Sequence, residues 1–96
     1  MKTYQTLYKN EKRAVEITIN DQDGRPFLSD AASASVYDKN NVVIVAEQAA
    51  TVSENTVYTI IDSTTTEIVG NYKIIWKLKK DNYKYQHVTD LIIEDL

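Results

Sequence analysis

Gly70-Asn71-Tyr72-Lys73-Ile74-Ile75-Trp76-Lys77-Leu78 is the stretch whose reading decides the fold. Tyr72, Ile74, Trp76 and Leu78 alternate with Asn71, Lys73, Ile75 and Lys77. A period of two puts the first set on one face and the second on the other. The stretch is therefore a strand lying on a core, with the single Trp of the chain in the middle of its buried side.

Working outward, 63–69 carries Thr64 and Glu67 at capping-box spacing, which predicts one short helical turn there, closed by Gly70 in a left-handed cap. A short corner, a Gly, one residue and then a Tyr is how β-sandwiches cross between sheets. The Tyr72 hydroxyl would then bond upstream backbone; the alternative is an ordinary core Tyr. On the other side, Lys79–Asn82 is a polar turn, and the chain returns as a partner strand. Tyr83, Tyr85 and His87 share one face of it, with Lys84, Gln86 and Val88 opposite and a change of face expected near Asp90.

The remaining segments repeat the theme. Lys12–Asn20 is a strand rich in β-branched residues, with Val15, Ile17 and Ile19 as its core face. Asn20–Phe27, NDQDGRPF, ends it in a turn, where Phe27 and Leu28 are placed to plug one end of the core. Asp21, Asp23 and Gly24 open like a calcium loop, but an EF-hand needs Glu at the twelfth position, where Ala32 stands, and two flanking helices. A plain turn is the better reading. Ala32, Ala34 and Val36 alternate with Ser33, Ser35 and Tyr37, small residues that suit close approach beneath Trp76. Asp38–Asn41 is a hairpin turn. The continuous run Val42–Val45 suggests a strand covered on both faces or carrying a bulge. Ala46–Val52 reads as strand or irregular edge, and Asn55–Ile61 as a strand. Residues 1–10 read as an edge strand or an extended arm.

The pattern totals about seven strands with turn signals every 8–12 residues, as expected of an all-β antiparallel sandwich; a small closed barrel is the alternative. The core set is Val15, Ile17, Ile19, Val36, Tyr72, Ile74, Trp76 and Leu78. Ninety-six residues make one domain, 1–96. A chain this size buries about 60–65% of its unfolded surface, so stability should be modest.

Cys is absent and His occurs once, at 87, which leaves no disulfide, thiolate or structural zinc site. A formal charge of −3 is the wrong sign for a general nucleic-acid binder. No apolar run approaches the roughly 20 residues of a membrane helix, and no signal-peptide pattern opens the chain, so folding in the cytoplasm is expected. From Met1 and the close at Leu96 a small complete reading frame is expected, with a domain cut from a longer protein as the alternative. Enzyme chemistry fails by elimination. There is no nucleophile elbow, no phosphate-cradling glycine loop and no strand-paired carboxylates. His87 reads as an ordinary cross-strand residue. No catalytic residue, cofactor or metal ligand is expected. Seven Tyr are more than one core needs, and Tyr4, Tyr8, Tyr83 and Tyr85 are the candidate interface residues.

Asp21, Asp23, Gly24, Leu28, Ala32, Gly70, Tyr72 and Trp76 carry a resemblance spanning Val15 to Glu94. It resembles small immunoglobulin-like domains of tailed-bacteriophage virions, similar to the N-terminal domain of baseplate upper proteins and to tail and neck accessory proteins. The resemblance implies an immunoglobulin-like sandwich with a non-enzymatic structural role in tail, baseplate or neck. It implies docking to other virion proteins and to further copies of itself, in a virion assembled in the bacterial cytoplasm, without nucleic acid or membrane as partner. The alternative function is a module binding carbohydrate or a cell surface, with Trp or Tyr as the stacking platform; a buried Trp76 would leave that part to Tyr.

Overall fold

The computed structural model describes residues 3–8, 11–62 and 70–94. They form seven strands: β1 (Thr3–Tyr8), β2 (Lys12–Thr18), β3 (Ala31–Asp38), β4 (Val43–Ser53), β5 (Thr56–Asp62), β6 (Gly70–Lys80) and β7 (Tyr83–Glu94). Their hydrogen-bonded order is β1-β7-β6-β3-β4-β5-β2. β4 is the element that turns this sheet into two layers. Its first part pairs with β3 as far as Ala50, and Thr51–Ser53 then pair with β5. Two register shifts in the β3–β4 ladder, around Val36, add the local twist that bulges bring. Where β4 and β5 diverge, the Gln48 side chain spans the gap. Its Nε2 donates to Thr59 Oγ1 at 2.7 Å and to the Ile60 carbonyl at 2.8 Å.

The sheet is mixed rather than wholly antiparallel, because β1 runs parallel to β7, from Thr3 opposite Thr89 to Tyr8 opposite Glu94. The short link to β2 leads to the opposite edge of the strand order, so β1 cannot hairpin with β2. Instead it buries Leu7 completely beside β7. The two ends of the order nevertheless meet: the Arg13 guanidinium on β2 donates to the Thr6 carbonyl on β1. The result is nearly a barrel.

Trp76 is fully buried at the centre. Its register partners are Ala34 on β3 and His87 on β7. The small Ala34 leaves room for the indole, and the indole Nε1–H donates to Thr89 Oγ1 at 3.0 Å, one diagonal step along β7. Buried Trp needs such a partner. Leu7, Val15, Ile17, Val36, Val57, Ile61, Tyr72, Ile74, Leu78, Leu91 and Ile93 complete the buried cluster. Ile19 lies past the end of β2 and is only partly buried.

Several sequence expectations are corrected. Of the two readings of Val42–Val45, the bulge holds and the double cover does not: Val36 pairs with Val45 and Tyr37 with Val43, which leaves Ile44 over, while Val42 and Val43 are exposed and Ile44 and Val45 only half-buried. Ala46–Val52, by contrast, is strand throughout, in keeping with its strand reading. No change of face occurs near Asp90: the β6–β7 register is regular from Gly70 opposite Ile93 to Lys80 opposite Tyr83. Leu28 is 50% exposed, so Phe27 alone caps that end of the core. The expected helical turn at 63–69, and any upstream bond it would give Tyr72, lie outside the described residues. Gly70 opens β6 at φ 150°, a conformation L residues rarely adopt, rather than in the left-handed cap.

Candidate functional site

Strand lengths create the candidate surface. β6 and β7 have 11 and 12 residues, against 7 each for β2 and β5 in the other layer. The β6–β7 hairpin therefore overhangs, and its tip turns through Asp81 at φ 54°, as two-residue hairpins require. The Asp81 N–H donates to Asp30 Oδ2 at 2.8 Å, which ties the tip to the segment entering β3.

The β2–β3 connection faces the overhang. Its turn is locked by Asp21, whose Oδ1 accepts from the N–H groups of Asp23 and Arg25 at 2.9 and 3.0 Å. Gly24 supplies φ 80°. The carboxylate that resembled a calcium ligand thus organises a turn. Past Pro26, which bridges to Asn20, the Phe27 ring meets Tyr85 edge-on, with centroids 5.1 Å apart. Lys80 Nζ sits 5.0 Å above the same ring. Such cation–π and aromatic pairs are worth about 0.5–1.5 kcal/mol each. Beyond them Tyr83 is 67% and Tyr85 43% exposed.

Two shallow grooves flank this hairpin. One, ≈ 430 Å³, lies between it and the turn, bordered by Asn20, Gln22, Phe27, Tyr85, Gln86 and His87. The other, ≈ 670 Å³, lies on the outer face, bordered by Ser33, Glu47, Lys77, Lys79, Lys84 and Gln86. Lys77 Nζ pairs with Glu47 Oε1 at 3.0 Å, and the hydrogen bond to Glu47 holds the Lys77 ammonium above its ordinary range. Partial burial pulls His87 below the usual imidazole value. Tyr72, on the inner face, is raised by burial and by Asp38, its register partner on β3.

The four interface tyrosines are not brought together. Tyr83 and Tyr85 share the hairpin tip, whereas Tyr8 ends β1 beside Glu94, towards the opposite end of the molecule. Tyr4 stands in β1 opposite Asp90. The core residues Val15, Ile17, Val36, Tyr72, Ile74, Trp76 and Leu78 are all buried. A second apolar surface escaped sequence reading: Tyr58 and Ile60 on the outer face of β5 are 37% and 54% exposed. Their parity, opposite to that of Val57, Thr59 and Ile61, was the available signal. Among the described residues no group of three or more His, Cys, Asp or Glu is placed to hold a metal ion.

No protein-family model matches the chain, and no curated protein matches it in sequence. Among solved structures, a chimeric titin Z1Z2 functionalized with a KLER exogenous peptide from decorin is similar over 98% of this chain and 88% of its own. The TM-score is 0.50 and the identity 11%. The fold is immunoglobulin-like. At this identity the likeness speaks to the fold alone.

Proposed function

We propose that this immunoglobulin-like domain is a non-enzymatic structural protein of a tailed-phage virion, a tail, baseplate or neck component that works by protein–protein assembly. The observation that carries the assembly reading is the overhanging hairpin. Its inner-face alternation continues past the core and presents Tyr83 and Tyr85 outward, at a site braced by Phe27 and Lys80. Tyr is enriched in interface cores because it offers large contact area at small entropy cost. The interior is filled by Trp76 and its neighbours, which leaves action to the outer surfaces. The phage setting rests on the sequence resemblance around Asp21–Gly24 and Gly70–Trp76, and with it go other virion proteins and further copies of this chain as partners.

Light scattering over a wide concentration range tests the assembly part. A ring or other symmetric oligomer, lost on Tyr83→Ala with Tyr85→Ala, is expected; a monomer at high concentration counts against self-association. Genes for head or tail proteins beside its own would support the setting, and a wholly metabolic neighbourhood would remove it. The carbohydrate reading has one observation in its favour, the ≈ 430 Å³ groove where Tyr85 meets Asn20, Gln22 and Gln86. Glycan-array binding lost on Tyr85→Ala would shift the conclusion to that reading.

A further inference from the structure

The cations of this chain are not evenly spread. Residues 73–86 hold Lys73, Lys77, Lys79, Lys80 and Lys84 against Asp81 alone, a formal +4. The rest, six cations against 13 anions, carries −7 within a chain of net −3. Three of these lysines border the ≈ 670 Å³ groove on the outer face of β3, β6 and β7. Lys79 and Lys84 stand directly opposite each other across the ladder, an arrangement that disfavours the free fold, since like charges repel at that spacing. Neither forms an ion pair with a described residue. Lys77 is matched by Glu47, but both side chains are 52% exposed, and a pair in that setting is weak and exchangeable.

Spacing indicates what fits. Lys77 and Lys79 lie two residues apart on one strand, with side chains on the same face. A strand advances about 6.8 Å over two residues, so an extended segment with carboxylates at alternate positions repeats the same interval. Ser33 and Gln86 border the groove with further hydrogen-bonding groups. We propose that this groove docks an extended acidic segment of a partner protein, with Glu or Asp at every second residue, successive carboxylates facing Lys77 and the Lys79–Lys84 pair. One carboxylate displaces Glu47 from Lys77 and the next lies between Lys79 and Lys84 and relieves their repulsion. Tyr85, 43% exposed on the border of the groove, favours a protein over a bare polyanion. The inference deepens the assembly reading and rests on it, by stating what one partner must carry.

The test is a titration of the isotope-labelled 96-residue protein, followed by amide chemical shifts, with three capped peptides: Glu-Thr-Glu-Thr-Glu-Thr-Glu, the same composition with the four Glu contiguous, and the Lys analogue of the first. The alternating peptide is expected to shift amides of 31–33, 77–79 and 84–86. Charge-steered contacts of this kind weaken steeply with salt. Lys79→Glu with Lys84→Glu should weaken binding by about tenfold or more, and Glu47→Gln should tighten it by about two- to fivefold. The second variant gains binding, so it cannot be mistaken for misfolding. Equal binding of the contiguous peptide, shifts scattered over the surface, or tighter binding of single-stranded oligothymidine at the same lysines would each overturn the proposal. Persistence of the light-scattering oligomer in a protein that ignores all three peptides would sink this inference and leave the assembly reading intact.

Discussion

The two halves of the β6–β7 hairpin obey one pattern and meet opposite fates. In the half towards Gly70, Tyr72, Ile74 and Trp76 face Leu91, Thr89 and His87 in an unbroken antiparallel register, and all but His87 are buried. In the half towards the turn, the same register continues through Leu78 and Lys80 against Tyr85 and Tyr83, yet only Leu78 stays buried. Nothing in the ladder changes between them. The other layer simply stops, at Thr18 and Thr56. Alternation dictates which way side chains point, while burial depends on whether another element lies opposite. A strand that outruns its cover converts core-type residues into a presenting surface.

The largest test of that contrast is a pair of truncations at inner-face positions. Trp76→Ala should cost about 3–5 kcal/mol, the range for deleting a large buried aromatic, read as a lowered urea midpoint or outright unfolding in a domain whose total stability is about 5–15 kcal/mol. Tyr83→Ala, with identical strand parity, should change stability by less than about 0.5 kcal/mol. Comparable losses at both sites would mean that the hairpin tip is as much a part of the core as its base.

A finer probe asks whether the buried half depends on polar satisfaction as well as packing. Thr89→Val keeps the shape but removes the acceptor of the indole N–H. Leaving that donor buried and unpaired should cost about 1–3 kcal/mol, measured by urea denaturation with the lone Trp as fluorescence reporter. No measurable change would show that the indole finds another acceptor.

The smallest effect sits at the border between the halves. His87 has its folded pKa lowered by partial burial. The folded protein therefore takes up this proton less readily than the unfolded chain. The penalty is absent above the unfolded value of about 6.5. It grows as pH falls through that value and levels off below the folded pKa. His87→Gln should flatten the slope of stability between about pH 7 and the folded pKa relative to the native chain; an unchanged slope would assign it to other groups.

Much of the fold was legible because the strands alternate cleanly. Val15 and Ile17, Tyr72 to Leu78, and the turns at Asp21–Gly24 and Asp38–Asn41 announce themselves by parity and by Asp, Asn and Gly chemistry. What stayed hidden depends on tertiary cover. Val42–Val45 reads by composition as doubly covered or bulged; composition could not decide between them, and the β3–β4 register shows the bulge. The parallel placement of β1 could not be read from YQTLY, since parallel and antiparallel partners demand the same alternation. The face change expected near Asp90 is absent, because the register runs on unbroken through exposed Tyr83 and buried Leu91. They share one face under different cover. For the same reason the Lys79–Lys84 pairing, which needs the hairpin register, was invisible as a site.

The parallel ladder between β1 and β7 has a mechanical corollary. Its six register pairs place Thr3 beside Thr89 and Tyr8 beside Glu94, so Thr3 and Glu94 lie at opposite ends of that ladder. Tension applied between Thr3 and Glu94 would slide one strand along the other. The ladder bonds would then share the load together instead of unzipping one after another.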